Sequence, residues 1–484
     1  MSQLPDYVAS AQPNPSSNRV PWLTTTAATY AGVMLWFAFW SGLPSGGEDC
    51  FAGGTLSQGL LFALVALVVA AFICHFCFYY VPAMLGMKTG LPLYIVGTST
   101  YGVTGGFLMP GFLMGVLQFG WLSVNGYFAG KGFALMAGYE EYSFVHFGLG
   151  ILWAVIAAFV GLKGIKYVGM VASYMPIIPV VVLLYLLACT IGGVFDFSPQ
   201  AAIDAGVKAA AAEEPSRTIE AARLYGSGVL GSLAGQLGVL SLVCAYVVGF
   251  FATAGAAGCD MGANNKDAKA VQLAGLVGVA GATIFTGCVA LIAIAGTQGV
   301  EGVTSMIPYD NLKAIVGSQI GGVFMFLLAL AAFPGACFSS LIAANSFKTT
   351  LPKVNPFISC GIGTLVACLL IVTGLAGKAG TVFGFIGASF GPVCGAMMAD
   401  YFLAGQKWAG PRAGFNPAGW VSWAVGFFVG GAPLVGLFKD VIPCPPVSAF
   451  VVGFVLYYLL AKAGLESKVL DMPQRIDLEE GVRE

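Results

Sequence analysis

The chain has 484 residues, of which 58% are hydrophobic and 9% charged, with a formal net charge of −1. Soluble domains carry roughly 25% charged residues. This composition, with a mean hydropathy of +0.86, therefore excludes a soluble enzyme and indicates an integral membrane protein. No basic tract is present to hold nucleic acid.

Residues 1–24 form a polar tail with Pro, Ser and Asn and no signal-peptide core, and it is expected to stay in the cytoplasm. Apolar runs then predict an all-α protein of about twelve transmembrane helices. They fall near 25–44, 57–81, 104–130, 143–162, 167–191, 232–259, 269–297, 318–347, 356–376, 379–404, 417–438 and 446–463. On one side of these spans lie Arg19, Lys88, Lys163, Lys166, Lys266, Lys269, Lys348, Lys353, Lys407 and Arg412; on the other lie Glu48, Asp49, Glu140, Glu141, Asp196 and Glu301. The basic side is the cytoplasmic one, which puts both termini in the cytoplasm of a plasma membrane of the bacterial inner-membrane type. Residues 192–231 become an extracellular loop with an expected amphipathic surface helix, and the charged tail 464–484 is expected to be solvated.

Taken in order, the spans carry few polar residues. The first, TAATYAGVMLWFAFWSGLPSGG, loses helical character after Trp40. The second holds Cys74-His75-Phe76-Cys77, whose C-x-x-C spacing sits in an apolar helix with no second ligand pair, so neither metal nor another cofactor is expected. Most of the 12 cysteines read as small apolar packing residues, and a disulfide between Cys50 and Cys444 in the external loops is left open. In the third span Gln118 and Trp121 are three apart and share a helical face. A buried amide beside a broad aromatic plate suits a flat, hydrogen-bonding ring; the alternative is an amide bonding a neighbouring helix and an indole filling core. The sixth span places Gly249, Gly255 and Gly258 around two aromatics. Interrupted helices at matching positions of two halves point to a transporter's substrate site.

Four stretches carry a family resemblance. They are Gln118-Phe119-Gly120-Trp121; Gly249 to Gly255 running on to Asp260; Gly391-Pro392-Val393-Cys394-Gly395 followed by Ala399-Asp400-Tyr401; and Phe415-Asn416, with the KTGL run at 88–91 in support. In this order and spacing, over about 25–463, the chain resembles the nucleobase:cation symporter family, in particular its cytosine- and purine-permease branch. The resemblance implies a five-plus-five inverted repeat with two additional C-terminal helices. The first repeat would span 25–191, the second 232–404, and the extra helices 405–463. A four-helix bundle would rock against a scaffold around a central site, within one chain and so as a monomer.

The resemblance further implies that Trp121 stacks on one face of the substrate and Phe251 on the other, with Gln118 on its polar edge. Phe250, Thr253 and the backbone of 250–255 would complete the grip. Asp260 and Asp400 are read as gate or capping residues. Where sodium-coupled members carry hydroxyls and then Asn in the eighth span, this chain has Pro334 and Gly335, then Ala336, Cys337 and Phe338, with Ser339 and Ser340 a turn later. Backbone carbonyls around Ala38 to Ser41 and near Pro334 remain as cation ligands, but a standard sodium site is not expected. Proton coupling is the alternative, with His75 in a span and Asp260 and Asp400 as candidate carriers. The expected function is secondary active import of a nucleobase-like planar heterocycle such as cytosine or a purine, coupled to proton or sodium. A same-fold transporter of amino acids or amines, a channel and a non-transporting sensor are the rivals. No paired acids, metal cluster or nucleophile with a base supports an enzyme.

Overall fold

A computed structural model describes residues 4–23, 54–200, 231–299, 308–438 and 441–472. Eleven long helices traverse it: α1 Leu60–Thr89, α2 Thr98–Met136, α3 Phe144–Leu162, α4 Ile177–Asp196, α5 Leu233–Ala256, α6 Ala268–Gln298, α7 Ser318–Lys348, α8 Pro356–Val372, α9 Ala379–Leu403, α10 Pro417–Val435 and α11 Pro445–Lys462. Ten are long and apolar enough to cross a membrane, and α8, with 17 residues, is the short one. They match the second to twelfth predicted spans. The first span, with Ala38, Trp40 and Ser41, lies outside the described residues, as do Cys50 and residues 201–230 of the predicted surface helix.

Caps and breaks follow local chemistry. Ser143, Ser232 and Asn355 accept backbone N–H bonds at the starts of α3, α5 and α8. α2 is kinked at Gly102, whose φ of 81° favours glycine, and a Cβ there would stand 2.2 Å from the Gly414 carbonyl. The groups freed by the kink are taken up by the 412–416 loop: Val103 N donates to Arg412 O at 2.7 Å, Thr104 N to Gly414 O at 2.9 Å and Asn416 N to Tyr101 O at 2.9 Å. Asn416 Nδ2 adds a bond to Thr100 O at 2.8 Å, which gives the Phe415-Asn416 pair a structural role. π-turns widen α1 over Cys74–Tyr79, α2 over Phe107–Leu113 around Pro110, α5 over Cys244–Gly249 and α6 over Ala274–Gly281.

The core centres on α9. Its Pro392 packs where α10 and α11 offer glycines: a Cβ at Gly426 would stand 2.5 Å from Pro392 Cβ, and one at Gly453 would stand 2.5 Å from Pro392 Cα. The Pro-x-x-Gly motif thus builds a close three-helix contact of the kind small residues permit in membranes.

The N-terminal tail packs against the helices: Val8 is buried, Tyr7 bonds Val103 O and its ring meets Phe107, and Asn14 Nδ2 reaches Ala263 O at 3.0 Å. Arg19 Nη1 donates to Met87 O at 2.6 Å. The first part of the 464–484 tail is likewise bound. Ala413 N donates to Lys468 O at 2.9 Å and Leu470 N to Pro411 O at 2.7 Å, because extended backbone can satisfy its polar groups against a neighbouring loop as well as in water. Cys444 lies within hydrogen-bonding reach of Cys244.

Candidate functional site

Trp121, Phe250 and Thr253 come together where α2, α5 and α9 meet. α9 approaches α5 closely because Gly249 has no side chain: a Cβ there would stand 2.5 Å from Phe383 O. α2 brings Trp121 into the same place. Its indole Nε1 donates to the Thr253 hydroxyl at 3.2 Å, its ring meets Phe250 edge-on with centroids 3.9 Å apart, and it stacks on Phe383 at 4.8 Å and 27°. Phe250 and Phe383 stand 5.5 Å apart and perpendicular, so three rings form one cluster.

Of the two adjacent phenylalanines, Phe250 is the one whose ring meets Trp121, just after the π-turn at Cys244–Gly249. Phe251 is buried in the same apolar core. The break in this span differs from expectation. Residues 250–256 remain α-helical, and the interruption falls at Ala257, between Ala256 and the short helix Gly258–Gly262. Gly249 and Gly255 serve close packing, the latter against Phe78, where a Cβ would stand 2.7 Å from that residue's Cβ.

Gln118 is buried one turn before Trp121, and its one hydrogen bond among the described residues is a weak one, from Nε2 to Met114 Sδ at 3.4 Å on its own helix. The amide is thus held in place yet keeps its capacity for a stronger partner. One turn beyond Trp121 the structure adds a residue the sequence analysis missed. Asn125 is buried, donates from Nδ2 to Ala332 O at 2.9 Å and accepts from Trp153 Nε1 at 3.1 Å. Its signal was present, since 118, 121 and 125 follow the i, i+3, i+7 stripe of one helical face. Phe383 was missed because nothing marks one Phe in the apolar run of α9.

The eighth predicted span, now α7, is bent at Ala332, and Pro334 and Gly335 begin its second half, as suits a proline in a first turn. Neither supplies a side-chain oxygen. Ser339 Oγ bonds Gly335 O at 3.2 Å within the helix. Cys337 and Phe338 pack with Phe119 and Leu122 in a second apolar cluster, not in the one that holds Trp121. The helix phase after the bend explains this: Cys337 O lies against α3, where a Cβ at Gly161 would stand 2.5 Å from it.

The two acids have separate structural surroundings. Asp260 Oδ1 accepts from Leu93 N at 3.1 Å, at the first residue of the short helix Leu93–Val96. Asp400 is 3% exposed and accepts from Ser99 Oγ at 2.6 Å, Thr100 Oγ1 at 3.1 Å, Arg412 Nη1 at 2.8 Å and Tyr457 OH at 3.0 Å. Arg412 Nη2 continues to Glu466 Oε1 at 2.7 Å. Of the two histidines, His146 is structural: Nδ1 accepts from Tyr142 N at 3.1 Å, so Nε2 carries the hydrogen directed to Tyr127 O at 3.0 Å. His75 is buried on α1.

A family model described as permease for cytosine/purines, uracil, thiamine and allantoin matches residues 25–409. Among solved structures, Mhp1, a nucleobase-cation-symport-1 family transporter in a closed conformation with bromovinylhydantoin bound, aligns at TM-score 0.65 and 15% identity, over 96% of this chain and 98% of that one. The inward-facing conformation of Mhp1 aligns at 0.64 and 16%, over 97% and 96%. A Na+-coupled sialic acid symporter, substrate-bound and outward-open, aligns at 0.53 and 14%, over 96% and 93%. Likeness at these identities shows the fold, which is that of Mhp1. No curated protein matches the chain in sequence.

Proposed function

The chain belongs to the family of permeases for cytosine/purines, uracil, thiamine and allantoin, and from that membership we propose that it imports a neutral planar heterocycle by alternating access, as a monomer with both termini in the cytoplasm. The observation that carries the reading is the setting of Trp121, held to Thr253 by its N–H and flanked by Phe250 and Phe383. A hydroxyl and two phenyl rings suit an uncharged flat ligand rather than a zwitterionic amino acid, which would seek a fixed counter-charge. Gln118, one turn before Trp121, supplies an amide able to match the donor and acceptor pattern of a ring edge, and that pattern sets the choice among heterocycles.

The substrate does not fit between the rings as they stand. Trp121 and Phe383 are 4.8 Å apart, whereas a ring sandwiched between two others needs about 7 Å, two aromatic stacking distances. Binding therefore displaces the Phe383 ring from the indole.

The test is thermal stabilisation of the purified protein by cytosine, uracil, adenine, thiamine and allantoin, each in sodium and in potassium. Stabilisation by one of these, lost in Trp121→Ala, supports the reading. Stabilisation by amino acids or amines alone overturns it.

A further inference from the structure

The middle of α1 carries a polar pair that the substrate site does not use. His75 stands at the midpoint of this 30-residue helix and is 1% exposed, and its Nδ1 has no hydrogen-bond partner among the described residues. Tyr79, one turn on and equally buried, has its hydroxyl in the same condition, and the two rings stack at 6.1 Å and 27°. Buried polar groups without partners are rare in native structures and call for an explanation.

The place they occupy is shaped for them. α1 and α6 each widen to a π-turn where they meet, over Cys74–Tyr79 and Ala274–Gly281. Such turns inside α-helices are frequent at functional sites. At the contact α6 presents Gly275, where a Cβ would stand 2.3 Å from His75 Nδ1 and 2.6 Å from Tyr79 Cδ1. Tyr79 also lies against Gly258, directly after the break at Ala257, with a Cβ there 2.8 Å from its ring. The same stretch of α1 runs beside the substrate segment of α5: Cys74 Sγ bonds Val247 O at 3.7 Å, and Phe78 packs on Gly255. Through Cys74 and Tyr79, the π-turn that carries the histidine thus adjoins both irregular points that bracket Phe250 and Thr253.

No fixed charge faces this ring among the described residues. Its own helix offers Cys74, Cys77, Tyr79 and Tyr80, the last with ring centroids 6.2 Å away. α5 offers Cys244 near Cys74 and no titratable side chain over 250–256. α9 offers Cys394 near Cys77, and residues 274–281 of α6 offer none. A proton arriving on His75 finds no counter-charge and is held only in a conformation that brings water or the Tyr79 hydroxyl to the ring. Linkage of protonation to a helix rearrangement is what proton coupling requires.

We propose that His75, with Tyr79 as its hydrogen-bonding neighbour, is the site that carries the coupling proton. The proton enters on an imidazole nitrogen in one conformation and leaves from it in the other, with no other bond made or broken. The inference rests on the transport reading above.

The experiment uses the full-length purified chain and the panel cytosine, uracil, adenine, thiamine and allantoin. For the compound that stabilises the wild type, proton uptake on ligand addition is followed with a pH-sensitive dye in weakly buffered detergent. Uptake driven by an acid-outside gradient is followed in liposomes. His75→Gln and His75→Asn are expected to keep the ligand-dependent thermal shift and exchange of labelled for unlabelled ligand, while ligand-linked proton uptake drops at least tenfold and gradient-driven accumulation is lost. Tyr79→Phe is expected to keep proton uptake but move its pH midpoint. A wild type that binds ligand without taking up protons overturns the inference with no variant needed, as does a His75 variant with wild-type proton uptake; the transport reading survives both. Failure of every panel compound to bind strikes the transport reading itself.

Discussion

The indole N–H of Trp121 and the hydroxyl of Thr253, 3.2 Å apart, join α2 to α5 directly beside the Phe250 ring. A neutral hydrogen bond contributes about 0.5–1.5 kcal/mol net. Its larger effect here is orientation, since it fixes which face of the indole a ligand meets.

Stacking of a base on an aromatic side chain contributes roughly 1–3 kcal/mol. Trp121→Ala is therefore expected to weaken heterocycle binding by about 5- to 150-fold. Thr253→Val, which keeps the shape and removes the acceptor, is expected to cost about tenfold or less. Both affinities are read by calorimetry on purified protein. Unchanged affinity in Trp121→Ala removes the indole from the site.

Phe383 gives a prediction of opposite sign. It occupies the indole face that a ligand needs, and an aromatic pair is worth about 0.5–1.5 kcal/mol beyond its area. Phe383→Ala removes that competitor, so affinity is expected to rise about 2- to 10-fold while the uptake rate falls. Weaker binding in this variant would show that the phenyl ring grips the ligand instead of yielding to it.

How much of this was legible in the sequence follows from where the information lies. Helix count and positions came from long apolar runs, because a membrane span must satisfy its backbone internally and shows itself by length alone. Trp121 and Gln118 stood out as amphipathic and polar groups in an apolar helix, and Thr253 came with the family resemblance. The stacking of Phe383 on Trp121 did not, since nothing marks one Phe in the apolar run of α9. The bound tails were hidden for a similar reason: Tyr7 and Arg19 bond backbone carbonyls, and carbonyls carry no sequence signature.

Asn125 links the candidate site to the bend in α7. Removing its side chain orphans two buried groups at once, the Ala332 carbonyl and the Trp153 N–H. Each unsatisfied group costs about 1–3 kcal/mol. Asn125→Ala is expected to lower the melting temperature of the purified protein by several degrees. Asn125→Asp, which can still accept from Trp153 but cannot donate to Ala332 while ionised, is expected to do no better. A melting temperature equal to that of the wild type in both variants shows that the amide does not hold the bend.

The Asp400–Arg412 pair is expected to behave in the contrary way, governing stability without touching affinity. Asp400 is 3% exposed and takes four hydrogen bonds, and the charge pair at 2.8 Å continues to Glu466 and Tyr457. Breaking a buried pair on one side costs about 3–5 kcal/mol, because the other charge is left buried and alone. Asp400→Asn and Arg412→Leu should each destabilise strongly, and the double variant by much less than their sum. The network lies about 25 Å along α9 from Phe383, at 1.5 Å per residue. Ligand affinity of the folded fraction should therefore stay within about twofold of wild type, well under the effect of a lost direct contact. A large loss of affinity in Asp400→Asn protein that remains folded would instead make this acid part of the transport cycle.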